Sequence, residues 1–249
     1  ASVRMLQQQV AADDLEIAQR RRLDRIAELL DLAGGEEVLE IGCGWGALAM
    51  HLAREKNVAL TGLTLSPSQL EWAQQRVAEA DLTSKVDLRL QDYRDHAGEY
   101  DRIVSIEMAE AVGEAYLPGY FETLAARLKT GGTALLQIIT IDEAIFDRYR
   151  AHPDFIQKHI FPGGFLPTKA MIADLAEKAG LKLVETEHFG HSYARTLAEW
   201  RRRFHAHWPE IAAQGFDARF RRLWEYYLSY CESGFEEGDI DVGFYRLVK

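Results

Sequence analysis

The stretch VLEIGCGWGALAM, Val38 to Met50, sets one acid and three glycines in the order E-x-G-x-G-x-G: Glu40, Gly42, Gly44 and Gly46. An apolar run that ends in an acid and then drops its side chains at alternate positions lets a ligand lie against bare backbone. Read as structure alone, the glycines make a tight strand-to-helix turn. Read as a site, they admit three ligand classes. A nucleoside triphosphate requires G-x-x-x-x-G-K-[ST], with a lysine for the phosphates, and no lysine follows here. A dinucleotide requires G-x-G-x-x-G and an acid for the ribose about 20 residues on. Here the acid precedes the glycines, and the later region, TGLTLSPSQ, offers Thr64, Ser66 and Gln69 instead.

The third class suits these residues. Asp92, in LQDYRD, can accept a hydrogen bond from an adenine amino group, with Tyr93 beside it. A pyrophosphate wants positive potential at a helix N-terminus. A cofactor that carries an ammonium and a sulfonium wants carboxylates and open backbone carbonyls. We therefore read Glu40, Gly42, Gly44, Gly46, Thr64, Gln69, Asp92 and Tyr93 as a site for S-adenosylmethionine. No metal is expected. His188 and His191 stand three apart with a glycine between them, and no cysteine or acid completes a set at metal spacing.

The elements that position these residues follow from hydrophobic period. Leu15, Ala18, Leu23, Ile26, Leu29 and Leu30 predict a helix over 14–33, stopped by Gly34-Gly35. Strands are predicted at Val38–Ile41, Val58–Leu63, Val86–Leu90, Arg102–Ile106 and Thr133–Thr140, with helices over 46–56, 67–81 and 114–129. That alternation predicts an α/β fold, a doubly wound, mostly parallel sheet with helices on both faces. Regularity breaks at 141–168, which holds Pro153, Pro162, Gly163-Gly164 and Pro167. A helix over 169–179, a strand over 181–187, an aromatic-rich helical stretch over 195–232 and a last strand at Val242–Val248 follow. The chain is expected to form a single domain, 1–249. It divides into a helical lead-in (1–35), a cofactor-binding core (36–140) and two insertions (141–168 and 190–235) that build a substrate chamber over the strand ends.

Composition narrows the partners. A formal charge of −10 argues against nucleic acid. Basic runs at Arg20–Arg22, Arg201–Arg203 and Arg219/Arg221/Arg222 are solvated helix faces or contacts to lipid phosphates. Two cysteines, Cys43 and Cys231, make no disulfide framework, and no signal peptide is visible, so a cytoplasmic setting is expected. No apolar run approaches the ~20 residues of a membrane span.

At this point a resemblance becomes specific. VLEIGCGWGALAMHLA, GLTLSPSQLEWAQQRV, LQDYRD, YDRIVSIEMAEAVG, KTGGTALLQIITI, FIQKHIFPGGFLPT and HFGHSYARTLAEW resemble, in order, the segments of cyclopropane-fatty-acid synthases, the family that includes mycolic-acid cyclopropane synthases and related fatty-acid C-methyltransferases. The resemblance runs from about Asp14 to the C-terminus; FPGGFLP with SYARTLAEW makes it more than a generic methyltransferase match. It implies the class I methyltransferase fold, seven strands with the last antiparallel. It implies methyl transfer from S-adenosylmethionine to the cis double bond of an unsaturated phospholipid or other acyl substrate, reached by peripheral membrane contact. An alkene is a weak nucleophile, so the methyl must be held in line and water kept out.

The resemblance also implies a base, thought in this family to be a bound bicarbonate. Its holders fall on Glu110, on Tyr193 and, at a position usually histidine, on Gln137. The fourth holder, a cysteine, has no match: counting back from Asp13-Asp14 puts Gln7 in its place. The family's leading portion, which helps close over the cofactor, has no counterpart in these residues. Glu110 and Tyr193 are thus expected to handle the proton, with or without an anion. Glu107, close by, is as readily a structural acid. Gln137 can orient an anion or satisfy backbone groups. Trp200, Phe161, Phe165, Tyr226 and Tyr227 are core, chamber wall or cation-stabilising π-faces. A full anion site implies a ring; a rearranged base implies a methyl or methylene branch. Three rivals stand beside this reading. They are a methyltransferase of a small unsaturated metabolite, a cofactor-binding but inert lipid-binding subunit and, weakest, a nicotinamide oxidoreductase.

Overall fold

The computed structural model describes residues 15–249. Five strands alternate with helices as the apolar runs predict: β1 (Glu37–Ile41), β2 (Ala59–Thr64), β3 (Val86–Leu90), β4 (Tyr100–Ile106) and β5 (Leu128–Ile141). Two more, β6 (Lys182–His188) and β7 (Ile240–Val248), complete one sheet in the order β3-β2-β1-β4-β5-β7-β6. The first five pair in parallel, and β7 runs antiparallel to both of its neighbours. Strand β1 is buried at four of its five residues because helices cover both faces.

One face carries α1 (Leu15–Leu29), α2 (Ala47–Glu55) and α3 (Pro67–Glu79), packed through Ile26, Leu30, Leu52, Ala73 and Val77. The other carries α4 (Leu117–Arg127) and, after the first insertion, α7 (Lys169–Lys178), packed through Phe121, Leu124, Ile172 and Ala176.

The insertions differ from expectation in their breaks. Residues 141–168 hold two helices, α5 (Glu143–Ala151) and α6 (Phe155–His159), started by the caps Asp142 and Asp154. The helical stretch expected over 195–232 is three helices: α8 (Gly190–Ala206), α9 (Trp208–Ala213) and α10 (Ala218–Glu237). Pro209 opens α9, and Gly215, at φ 98°, breaks the chain before the Asp217 cap of α10. The helix expected from 114 starts as a single 3-10 turn, Glu114–Tyr116, ahead of Pro118.

Helix α1 has no basic residue in its last turn, yet its final carbonyls do not go unmet. Arg246 Nε on β7 donates to Leu29 O at 2.8 Å, and Arg102 on β4 donates to Leu30 O at 2.6 Å and Asp31 O at 3.1 Å. Arg25 pairs with the buried Glu187 of β6. Arg246 and Arg102 thus satisfy orphan carbonyls of the helix end, and with the Arg25–Glu187 pair they tie α1 across the sheet. Replacing Arg102 by methionine keeps the stem and removes both bonds. It should lower stability by about 2 kcal/mol, read from the urea midpoint; no shift would mean α1 is held by packing alone.

Candidate active site

Glu40, the second-last residue of β1, points into the sheet core at 3 % exposure, and its Oε2 has no partner among the described residues. Burial without a counter-charge pushes its carboxyl up to about 8. The glycines that follow all adopt positive φ. A Cβ on Gly42 would lie 3.1 Å from Met108 Cγ, and one on Gly46 would lie 3.0 Å from Ala73 Cβ; at Gly44 nothing lies within 4 Å. The outer two glycines thus let the turn pack against its neighbours, while the middle one opens on space. Burial and the nearby Glu40 push the Cys43 thiol up to about 12, so it stays protonated.

The other expected cofactor residues stand at the carboxyl ends of the adjacent strands. Thr64 ends β2; its Oγ1 donates to Gln69 Oε1 at 3.2 Å and accepts from Ser66 N at 3.2 Å. Asp92 follows β3 as the cap of a short turn. Arg94 engages both its oxygens, through the backbone N (2.9 Å) and Nε (3.0 Å) on Oδ1 and through Nη2 (2.6 Å) on Oδ2. That guanidinium holds the Asp92 carboxyl below its usual range. An adenine amino group would share Asp92 with the exposed Arg94, a competitor that the motif did not reveal. Tyr93 packs edge-on against Tyr120, centroids 5.6 Å apart.

A polar cluster closes the carboxyl ends of β4 and β5. Glu107 directly follows β4 in a left-handed conformation, φ 50°. For a non-glycine residue this costs on the order of 1–3 kcal/mol, and the surroundings hold it there. Its backbone N donates to Gln137 O at 2.8 Å. Its Oε1 accepts from Tyr193 OH and from Gln137 Nε2. Gln137 Nε2 also donates to Tyr193 OH at 3.0 Å, and Arg22 Nη1 of α1 donates to Gln137 Oε1 at 3.0 Å. Arg22 therefore fixes which way the fully buried Gln137 amide points, with its NH2 toward Glu107. Burial, then the charge of Glu107, hold the Tyr193 phenol well above its ordinary pKa, so it remains a donor.

Glu110 sits in the 3-10 turn Ala109–Ala111, three residues beyond Glu107 at the same strand end. Its Oε1 accepts from Ile139 N of β5 at 2.6 Å, and its Oε2 is buried with no partner among the described residues. Burial, reinforced by Glu107, outweighs the Ile139 amide and pushes the carboxyl up to about 8.

The structure thus brings Gln137 and Tyr193 into one cluster, with Glu110 on the same strand end. It adds two residues that the sequence reading undervalued. Glu107, taken as an even structural alternative, is the acceptor of the cluster. Arg22, taken as part of a solvated or lipid-facing run, turns inward; its phase with Ile26, one helical turn on and fully buried, is the signal that marks it. Phe165 is buried against Phe146 and Tyr149, whereas Phe161, Tyr226 and Trp200 are exposed. Gln7 lies outside the described residues.

Residues 7–244 match the family model for mycolic acid cyclopropane synthetase. The chain belongs to that family. It is 40% identical over 237 residues to the tuberculostearic acid methyltransferase UfaA1 of Mycobacterium tuberculosis, covering 95% of this chain and 55% of that one. It is 40% identical over 231 residues to the cyclopropane-fatty-acyl-phospholipid synthase of Escherichia coli, covering 93% of this chain and 58% of that one. The chain thus spans a little over half the length of these relatives. The structure of mycolic acid cyclopropane synthase CmaA1 complexed with SAH and CTAB superposes with TM-score 0.88 at 29% identity, covering 95% of this chain and 86% of that one. The seven-stranded α/β sheet is that of cyclopropane synthases and other S-adenosylmethionine-dependent methyltransferases.

The two raised carboxyls carry a pH consequence. In the unfolded chain each loses its proton near 4.5; in the folded protein each keeps it to about 8. Folding therefore holds extra protons across that window, and stability falls as pH rises through it. Each group contributes up to about 1.4 kcal/mol per pH unit. Glu40→Gln should lose less stability than the unsubstituted protein between pH 5 and pH 8 in urea titrations. Parallel curves would mean that Glu40 is ionised in the fold.

Proposed function

We propose that this protein is an S-adenosylmethionine-dependent C-methyltransferase that acts on the double bond of an unsaturated fatty acyl chain carried by a phospholipid or another acyl carrier. The observation that carries the reading is the unpartnered buried oxygen of Glu40 beside a glycine turn whose middle residue opens on space. The chemistry of the methyl donor fits this site. A carboxyl without a counter-charge awaits a cation, and the donor bears an ammonium and a sulfonium. Glu40, Gly42, Gly44, Gly46, Thr64, Gln69, Asp92 and Tyr93 are the residues proposed to hold it. Bound there, the donor supplies an electrophilic methyl group. The relatives support the class: one is named a fatty-acyl-phospholipid synthase, and a neighbour's structure holds SAH.

The protein's own contribution is shelter and proton management. The second insertion lays α8 and α10 on β7 through Ala194, Leu197, Leu228, Phe235 and Val242. Phe155 of the first insertion meets Tyr226 of α10 at 4.5 Å, and Phe161 meets Tyr227 at 6.2 Å. Phe155 and Tyr227, each partly buried between the two insertions, are proposed to wall the acyl chamber and keep water from the reacting carbons. Among the described residues no helix is long and apolar enough to cross a membrane. Peripheral contact at the cytoplasmic membrane face is proposed, through the exposed Arg219, Arg222 and Tyr226 of α10, which share one helix face. The product depends on which proton leaves: one from the new methyl gives a ring or a methylene, one from the chain gives a methyl branch.

Incubation of unsaturated phospholipid vesicles with donor bearing a trideuterated methyl, followed by mass spectrometry of the acyl chains, tests this reading. Label in the acyl chain is expected. Three retained deuteriums identify a methyl branch; two identify a ring or methylene, which mild hydrogenation separates. Donor binding without any label in lipid would overturn the lipid assignment.

The donor fit gives a second expectation. Glu40 is protonated at neutral pH in the free protein, and a bound cation draws it to its ionised form. Calorimetry at pH 7 in buffers of different ionisation heat should show release of close to one proton per donor bound. That release should vanish in Glu40→Gln.

A further inference from the structure

The family resemblance implies a free bicarbonate at this site, held by Tyr193, Gln137 and Glu110. The residues present do not fit one. Tyr193 OH and Gln137 Nε2 already donate to Glu107 Oε1, and Ile139 N already donates to Glu110 Oε1. A carboxylate of the chain itself stands where those donors converge. We propose that Glu107 is a built-in replacement for a bound anion: its carboxylate is the proton acceptor of the reaction, and the protein works without bicarbonate. This rests on the methyl-transfer reading above.

Four observations converge on Glu107. First, it occupies a left-handed backbone position that glycine would take without strain. A charged side chain there has no packing reason, since Glu107 is exposed at the carboxyl ends of the strands where such sheets open. Second, both its side-chain bonds fall on Oε1, and among the described residues Oε2 accepts none. One oxygen is held and the other is available. Third, the donors are themselves oriented. Arg22 fixes the Gln137 amide, and Gln137 fixes the Tyr193 hydroxyl, so the whole set points its protons at one carboxylate. Fourth, the neighbouring acid cannot do the same task at neutral pH, because burial keeps the Glu110 carboxyl protonated.

The step balances. After methylation the substrate carries a carbocation. For a ring, a C–H bond of the new methyl, one carbon removed from the cation, breaks and its electron pair forms the C–C bond to the cationic carbon. For an alkene, a C–H bond on a carbon adjacent to the cation breaks and its pair forms the second bond. In both cases the proton passes to Glu107 Oε2. Arg22 and Gln137 are positioning residues in this scheme.

The test uses the full chain in carbon-dioxide-free buffer. Turnover of the unsubstituted protein should not change when bicarbonate is added. Glu107→Gly suits the backbone, so it should fold; it should lose about 100-fold or more in turnover, the usual share of a general base. Added bicarbonate or formate should restore part of that loss, whereas Glu107→Gln, whose amide fills the space, should gain nothing. Labelled bicarbonate followed by carbon NMR supplies a readout apart from turnover: line broadening is expected with Glu107→Gly and not with the unsubstituted protein. S-adenosylhomocysteine should bind both variants within about threefold of the unsubstituted protein, separating this role from donor binding. Bicarbonate-dependent turnover of the unsubstituted protein, or full turnover of Glu107→Gly without anion, would overturn the proposal. If the unsubstituted protein transfers no methyl at all, the functional reading falls, and the NMR arm alone decides whether Glu107 fills an anion position.

Discussion

A carboxyl group buried without a counter-charge keeps its proton, and the chemistry of this site follows from where the fold enforces that rule and where it relaxes it. Glu40 and Glu110 each present a buried oxygen with no hydrogen-bond partner among the described residues. Glu107, a few residues from Glu110, is exposed and takes two hydrogen bonds on one oxygen. Three acids at the ends of neighbouring strands thus stand in different states. Burial pushes two of them, Glu40 and Glu110, up to about 8, and the third, Glu107, takes hydrogen bonds at the exposed strand end. Had all three been exposed, they would be ordinary carboxylates with no division of labour.

The sheet supplies the scaffold for that division, and two helices complete it from outside. Arg102 and Arg246 fasten the end of α1 to β4 and β7, so its middle turn carries Arg22 to Gln137. Helix α8 is fastened at its first residue, where Gly190 N donates to Asp241 Oδ1 at 3.0 Å. A Cβ on Gly190 would lie only 2.6 Å from that oxygen. Lys169 in turn holds the other oxygen of Asp241 at 2.8 Å. Tyr193 lies within the first turn of the helix so anchored, and its hydroxyl reaches Glu107. Both helices that reach the cluster are therefore tied by polar clamps to strands of the sheet, α1 to β4 and β7 and α8 to β7.

Much of this was legible in the residues. Period-two and period-3.6 patterns located the strands and most helices, and the order of acid and glycines separated this loop from phosphate-binding ones. The breaks near Pro209 and Gly215 were present in the sequence but were masked by a long aromatic-rich helical pattern. Three side-chain facts were not legible: two join distant segments, and the third depends on which way an arginine side chain folds back. Arg22 lies 115 residues from the glutamine it orients. Glu107 meets Tyr193, 86 residues on. Asp92 is engaged by Arg94, a residue whose type alone says only that it is a surface arginine. Position along the chain identified the candidates; only the fold identified which acid faces which donor.

The central claim concerns protonation, so it is tested most directly by observing protons on carboxyls. Infrared difference spectra at pH 6.5 between the unsubstituted protein and each single glutamate-to-glutamine variant resolve the carbonyl stretch of a protonated acid. The account predicts that this band is lost in Glu40→Gln and in Glu110→Gln. A spectrum in which either variant loses no protonated band would contradict it.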